Sequence, residues 1–212
     1  MRQTDLVQSI HDRATSGSRL IVAIAGAPAS GKSTLADTLA HDLGDTAIVL
    51  PMDGFHLDNH VLDDRGLGDT KGASNTFDVG GLDAMLARIN QEDEIAIPEF
   101  DRSRDIAIAG RRIIEPHHQI ILVEGNYLLL DTDPWAKLAR HWDLTIMLEV
   151  PLDVLKTRLI QRWRDHDFDP DQARARALSN DIPNAKTVVT GSRTAQITVT
   201  NSYPQTKKPA HF

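Results

Sequence analysis

Three short segments of this chain set phosphate-binding and acidic groups at what read as the ends of strands. The first is GAPASGKST, residues Gly26, Ala27, Pro28, Ala29, Ser30, Gly31, Lys32, Ser33 and Thr34, in which Gly26 to Ser33 fits G-x-x-x-x-G-K-[ST]. Glycines let the backbone bend until successive N–H groups point inward at phosphate oxygens, and the positive end of the following helix adds to that pull. In such a loop Lys32 reaches the β- and γ-phosphates of a nucleoside triphosphate, and the Ser33 hydroxyl takes a place on Mg²⁺. The motif implies nucleotide binding and leaves the reaction open.

The second segment is VLPMDGFHLDN, Val49 to Asn59, where an apolar run ends on Asp53 and Gly54. Asp-Gly is a turn signal, and an acid at a strand tip can also take a proton; the pair alone does not choose. The third is IILVEG, which ends on Glu124. If this strand neighbours the one before the phosphate loop, Glu124 lies beside the cradle. It would then hold a Mg²⁺-bound water or position the metal directly, although Asp is the usual residue there.

Arg158 and Arg162 are four apart on a helix that starts near Pro151, on a face turned away from Leu152 and Leu155, and His166 extends the same stripe. Guanidinium forks suit phosphate oxygens, so a mobile helical lid carrying them could close over a nucleotide. Arg174 and Arg176, in RARA, read instead as a solvated surface.

These groups need a scaffold, and the apolar pattern supplies one. RLIVAIAG, TAIVLPMDG, QIILVEGN and DLTIMLEV are continuous apolar runs, as expected of strands buried on both faces, and AQITVTN is a final alternating strand. Between them lie helical patterns: Leu6, Ile10 and Ala14; Leu35, Leu39 and Leu43 with Gly44 as a stop; Leu82, Met85, Leu86 and Ile89; and Leu152, Leu155 and Leu159. A further helix has Asp169 as N-cap, Pro170 at its first position and Gln172 to close a capping box. Strands alternating with helices predict an α/β fold with a parallel sheet covered on both faces. The stretch 54–118 breaks the rhythm, is rich in Asp, Gly and Arg, and is expected to sit over the carboxyl edge of the sheet, where such folds bind ligands. The tail YPQTKKPAHF is expected to fray.

The 212 residues suffice for a single domain over 1–212, with 54–118 as an insert and 152–184 as a lid region. A formal net charge of −7 gives no broad basic surface for nucleic acid or a membrane, so a bound anion must be caught by local geometry. The absence of cysteine excludes disulfides, thiolate metal sites and a cysteine nucleophile. No apolar stretch approaches the roughly 18 residues of a membrane span, and no signal-peptide pattern opens the chain. A cytoplasmic protein is the expectation.

In chain order, the phosphate loop, MDGFHLDNHVLDDRGLGDTKGASNTFDVGGL, PEFDRSR and ILVEGNYLLL resemble the P-loop kinases grouped around uridine kinase, phosphoribulokinase and bacterial pantothenate kinase. The likeness runs from about Leu20 to Asn184, and the DGFH and NDIPNA stretches also resemble short bacterial relatives described as fructose transport-system kinases. The resemblance implies a P-loop three-layer sandwich with strand order 2-3-1-4-5. It also implies an ATP- and Mg²⁺-dependent kinase acting on a hydroxyl of a small polar metabolite. It makes Asp53 the general base, matches Arg158 and Arg162 to the lid arginines, and sets Phe100 and Asp101 of PEFD at the acceptor site, with Phe where the family more often has Tyr. His56, Arg65, Arg102 and Arg104 lie in the same insert and are candidates to bind the acceptor. With an aromatic content of only 5%, a sugar is ranked above a nucleoside or a pantothenate-like alcohol. A regulatory nucleotide switch with a protein partner is the rival reading. No N-K-x-D or L-S-G-G-Q motif supports a GTPase or a transporter ATPase. A homodimer is left open.

Overall fold

The computed structural model describes residues 3–14, 17–165 and 167–201. His166 and the tail from Tyr203 onward lie outside them, so neither expectation about those residues is addressed.

The strand after the first helix, β1 (Leu20–Gly26), is buried at every position, which is why its sequence is apolar on both faces. It pairs in parallel with β5 (Ile120–Gly125) on one side and β6 (Leu144–Glu149) on the other. Beyond β5 lies β2 (Ala47–Pro51), and beyond β6 lies β7 (Ile197–Thr200), both parallel. The sheet order is β2-β5-β1-β6-β7. Counting only the strands of this sheet in chain order, that is 2-3-1-4-5, the expected α/β topology. The remaining strands, β3 (Ile95–Asp101) and β4 (Ile106–Ile114), form a separate antiparallel hairpin.

Helices cover both faces. Under one face, Leu6 and Ile10 of α1 (Gln3–His11) and Leu39 and Leu43 of α2 (Lys32–Leu43) pack with Val22, Ile24 and Leu122. On the other, Leu82 and Leu86 of α4 (Val79–Arg88), Leu155 and Leu159 of α5 (Leu152–Arg164) and Val188 of α7 (Ile182–Gly191) pack with Ala23 and Val123. Each buried Leu or Ile removes enough apolar surface from water to contribute about 1.5–3 kcal/mol, so the two stripes of leucines fix which face each helix turns inward. Leu152 was expected among them but is 37% exposed, because Pro151 is the N-cap of α5 and Leu152 starts the helix clear of the sheet.

Between β2 and β5 the chain forms a tight turn at Met52–Phe55, the short helix α3 (Asn59–Asp64), α4 and the hairpin. The hairpin was not anticipated, since Pro98 and a register shift between Ile97 and Glu99 interrupt its alternation. Its base is held by Arg19, which is buried and donates to the backbone carbonyls of Ile89, Glu92, Asp93, Glu115 and His118 at 2.6 to 3.2 Å. After α5, Asp169 caps α6 (Pro170–Arg176) by accepting from the N–H groups of Asp171 and Gln172. The helix then widens into a π turn at Ala177–Asp181 and continues as α7, which tolerates Pro183 because it falls in the first turn.

Candidate active site

The phosphate loop joins β1 to α2. Gly31, just before the first residue of α2, has φ 96°, a conformation an L side chain rarely adopts, so glycine is required for the helix to start there. Ala29 also has positive φ, at 63°, an uncommon conformation outside glycine of the kind that clusters at ligand clamps. Lys32, Pro28 and Ala29 face a cavity of about 560 Å³ above the carboxyl ends of the strands.

Parallel pairing brings the two acids to that edge. Glu124 is in register with Ile24 of β1 and with Pro51 of β2, so the carboxylate stands between the phosphate-loop strand and the strand leading to Asp53. Ser33 Oγ donates to Glu124 Oε2 at 3.1 Å. Burial pushes the Glu124 carboxyl up, and Lys32 pulls against it. Two hard oxygen donors this close suit Mg²⁺, and no cluster of three or more His, Cys, Asp or Glu side chains exists among the described residues to hold a metal alone. That fits an ion completed by phosphate oxygens.

Asp53 sits in the Met52–Phe55 turn, lines the same cavity and keeps its carboxylate 20% exposed. It is therefore both a turn residue and a cavity acid. Gly54 has a separate purpose: a Cβ there would lie 2.6 Å from the Pro98 carbonyl, so its absence lets the hairpin close on the turn. This approach delivers Arg102, whose Nη2 lies 2.5 Å from Asp53 Oδ2. Burial would raise the Asp53 carboxyl, but Arg102, His56 and Lys32 outweigh it and hold the group below the usual range.

Away from the phosphate loop, the cavity wall is polar. His56 packs against Phe77 and Phe100 with tilted rings, at centroid distances of 4.1 and 4.5 Å, and burial pushes its imidazole down. Lys71 Nζ donates to Asn59 Oδ1 at 2.6 Å and pairs with Asp105 Oδ2 at 2.9 Å. The Asn126 Oδ1 atom is buried without a hydrogen-bond partner among the described residues, and Asn180 and Asn184 complete that wall. The helices contribute Arg162, Trp163 and Arg176, with Asp181 accepting from Arg162 Nη2 at 3.1 Å and from Trp163 Nε1 at 2.5 Å.

Lys32, Asp53, Arg162, His56, Phe100 and Arg102 thus meet around one cavity, with Ser33 and Glu124 bonded to each other. Other expected residues stand apart. Arg158 does not line it: its guanidinium donates to the carbonyls of Ala29, Ser30 and Asn201 at 3.2 to 3.4 Å, which braces the phosphate loop from behind. Arg65 is exposed beyond the end of α3. Asp101 is occupied by the hairpin tip, accepting from Ser103 and from the Arg104 N–H, and Arg104 folds back on it at 3.3 Å. Thr34 faces a smaller pocket with Gly31 and Asn201. Arg176, read as plain surface, lies over the Trp163 ring at 5.3 Å on the cavity wall. Sequence reasoning assigned no role to Asn59, Lys71, Asp105, Asn126, Asn180 or Asn184. Asn59 and Lys71 fall in the MDGFHLDNHVLDDRGLGDTKG stretch, Asn126 in ILVEGNYLLL and Asn180 and Asn184 in NDIPNA, while Asp105 directly follows PEFDRSR. A second cavity, about 420 Å³ between β6, β7 and α7, meets the phosphate loop only at Ala27 and holds none of the acids of the first.

A five-stranded parallel sheet of order 2-3-1-4-5, with a phosphate loop after its central strand, defines a P-loop nucleotide-binding protein. The model of the Phosphoribulokinase / Uridine kinase family matches residues 21–168, and the chain belongs to that family of ATP-dependent small-molecule kinases. The Escherichia coli protein YggC is 35% identical over 187 residues, covering 85% of this chain and 77% of its own. Uridine kinase of Cronobacter sakazakii is 32% identical over 149 residues, covering 68% of each chain. The crystal structure of a "putative fructose transport system kinase" from Silicibacter sp. TM1040 superposes with a TM-score of 0.90 at 43% identity, covering 94% of this chain and 99% of that one.

Proposed function

We propose that this protein moves the γ-phosphoryl group of ATP, with Mg²⁺, onto a hydroxyl of a small non-aromatic polyol, with a sugar such as fructose favoured over a nucleoside or a pantothenate-like alcohol. The observation that carries the reading is that Asp53 and Lys32 line one cavity beside the bonded Ser33–Glu124 pair. Phosphoryl transfer asks little covalent chemistry of a protein, so catalysis is positioning plus charge stabilisation. Lys32 and Arg162 meet the transferring phosphoryl oxygens, and Asp53 accepts the proton of the attacking hydroxyl. Ser33 and Glu124 would hold Mg²⁺, which when bound neutralises charge on the phosphates. The α5–α7 helices serve as the lid and the 54–118 stretch as the acceptor insert.

Two features favour a polyol. The imidazole of His56 packs against both the Phe77 and Phe100 rings, so these aromatic side chains are engaged by the protein itself. The remaining wall offers the carboxamides of Asn59 and Asn126 and the ammonium of Lys71, groups that donate to and accept from hydroxyls. The name printed for the Silicibacter protein points to the same substrate class. The test is incubation with Mg²⁺–ATP and a panel of ketoses, aldoses, sugar acids, nucleosides and pantothenate, with products read by mass spectrometry. A phosphorylated sugar with equimolar ADP is expected. Phosphorylation confined to nucleosides would overturn the polyol assignment, and slow ATP hydrolysis indifferent to every alcohol would overturn the kinase role in favour of a switch.

A further inference from the structure

In the π turn between α6 and α7, two adjacent residues bond to opposite walls of the cavity, one to Arg162 and the other to the backbone of Lys71. Asp181, buried within this turn, accepts from Arg162 and from the Trp163 indole N–H. Its neighbour Asn180 donates through Nδ2 to the backbone carbonyl of Lys71 at 3.0 Å. The amide is not free to rotate, because Asn184 Nδ2 donates to Asn180 Oδ1 at 3.1 Å and so fixes which end of Asn180 faces Lys71.

The loop after Lys71 is suspended by its carbonyls. Tyr127 OH donates to the Gly72 carbonyl at 2.8 Å, and Trp135 Nε1 donates to the Ser74 carbonyl at 3.0 Å. Tyr127 and Trp135 are buried in the core, on the segment that follows β5. Asn180 alone among these three donors belongs to the helices that carry Arg162. Lys71, whose ammonium faces the cavity, is therefore followed by a loop held from two sides, by the segment after β5 and by the helices that carry Arg162.

A brace for stability alone would not need this chemistry. A buried carboxylate paired with an arginine is weak evidence for stability, since desolvation offsets much of the attraction and apolar replacements do as well or better. A π turn costs regular helical bonding and recurs at functional sites, where the extra residue per turn re-aims side chains. Here the widened turn sends Asn180 and Asp181, adjacent in sequence, to partners on two different walls.

We propose that the π turn Ala177–Asp181 is a positioning relay. Asp181 sets the aim of Arg162 and Trp163, and Asn180 ties that setting to the backbone of Lys71, so that the nucleotide and acceptor ends of the cavity are adjusted together. Asn180 and Asp181 are positioning residues in this scheme, not catalytic ones. The relay rests on the reading of the cavity as a joint nucleotide and acceptor site.

The test is a double-mutant cycle on binding of the Mg²⁺ complex of adenylyl imidodiphosphate, a non-transferable ATP analogue, by titration calorimetry, with tryptophan fluorescence as a second readout. Asn180→Ala removes a side chain whose hydrogen bonds among the described residues go to Lys71 and Asn184 and not to Arg162, yet the relay predicts analogue binding about 3- to 10-fold weaker, because Arg162 loses its aim. Arg162→Lys should weaken binding to a similar or greater degree, and adding Asn180→Ala to it should change affinity by less than about twofold. Asn184→Ala, which frees the Asn180 amide to rotate, should reproduce part of the effect and serves if Asn180→Ala melts early. Wild-type affinity in Asn180→Ala, or independent effects that multiply in the double variant, would overturn the relay and leave the kinase reading standing. Failure of the unmodified protein to bind the analogue would overturn both.

Discussion

Arg102 and Asp53 face each other at 2.5 Å, although one belongs to the tip of a hairpin with its side chain 73% exposed and the other to a turn at the edge of the central sheet. The contact depends on Gly54 admitting the Pro98 backbone. It also governs the proton affinity of the proposed base. Burial raises the Asp53 carboxyl, and Arg102 is the largest influence opposing it, so the net depression rests mainly on an exposed guanidinium.

Arg102→Gln should therefore raise the Asp53 pKa. A depressed carboxyl stays ionised until the pH falls through its own low pKa, so in the wild type Asp53 itself should remain ionised below the ordinary carboxylate range of about 4. In Arg102→Gln, burial is left less opposed and the acid limb of kcat/KM should move to higher pH. The pH–rate profiles of the two proteins decide it; coincident acid limbs would mean that Arg102 does not set the ionisation of the base.

Asp53→Asn keeps the shape of the side chain and removes its capacity to take a proton. Phosphoryl transfer should fall by about 10² or more while nucleotide affinity stays close to wild type, since Asp53 bonds to Arg102 and not to the phosphate loop. Lys32→Ala is the contrasting case and should lose nucleotide turnover altogether. Single-turnover rates and analogue binding measured on both variants separate the two roles, and normal turnover in Asp53→Asn would end the assignment of the base.

Glu124→Gln tests the proposed metal position. The amide oxygen can still accept from Ser33, so the local packing survives, while the charge that would face Mg²⁺ is gone. Turnover at saturating ATP should drop by about 10² and the Mg²⁺ concentration needed for half-maximal rate should rise. A titration of rate against free Mg²⁺ that matches the wild type would remove Glu124 from the site.

The legibility of this chain in its sequence follows the distance over which each feature is encoded. The phosphate loop is contiguous, and a strand buried on both faces writes itself as an unbroken apolar run, so β1, β2, β5 and β6 were readable. Their order came from resemblance, because nothing in a run of apolar residues names its neighbour. The hairpin was hidden: β4 is largely exposed and β3 contains a proline, so neither shows clean alternation. Arg158 and Arg162, one turn apart, looked equivalent, but one turns back onto the loop carbonyls and the other toward the cavity, which is decided by packing of the whole helix. Lys71 gains its place from Asp105 and Asn180, residues 34 and 109 positions away, a relationship that no local pattern records.

Arg19 illustrates the same point from the side of stability, and it carries the last prediction. It precedes β1 and has the appearance of a surface residue, yet it is only 8% exposed and its guanidinium serves five carbonyls drawn from the end of α4 and both sides of the hairpin base. Glu115 O also accepts from the His118 N–H, and the planar five-donor fork brings all five carbonyls of three chain segments together. Arg19→Met fills a similar volume but strands the acceptors, and should cost about 3 kcal/mol or more by urea denaturation. Arg19→Lys, with a point charge in place of the fork, should recover only part of that. Because the hairpin tip delivers Arg102, both variants should also blur the acid limb set by the Arg102–Asp53 contact, under conditions where the protein is still folded. A loss of stability with an unaltered pH profile would show that the hairpin holds its tip without help from its base.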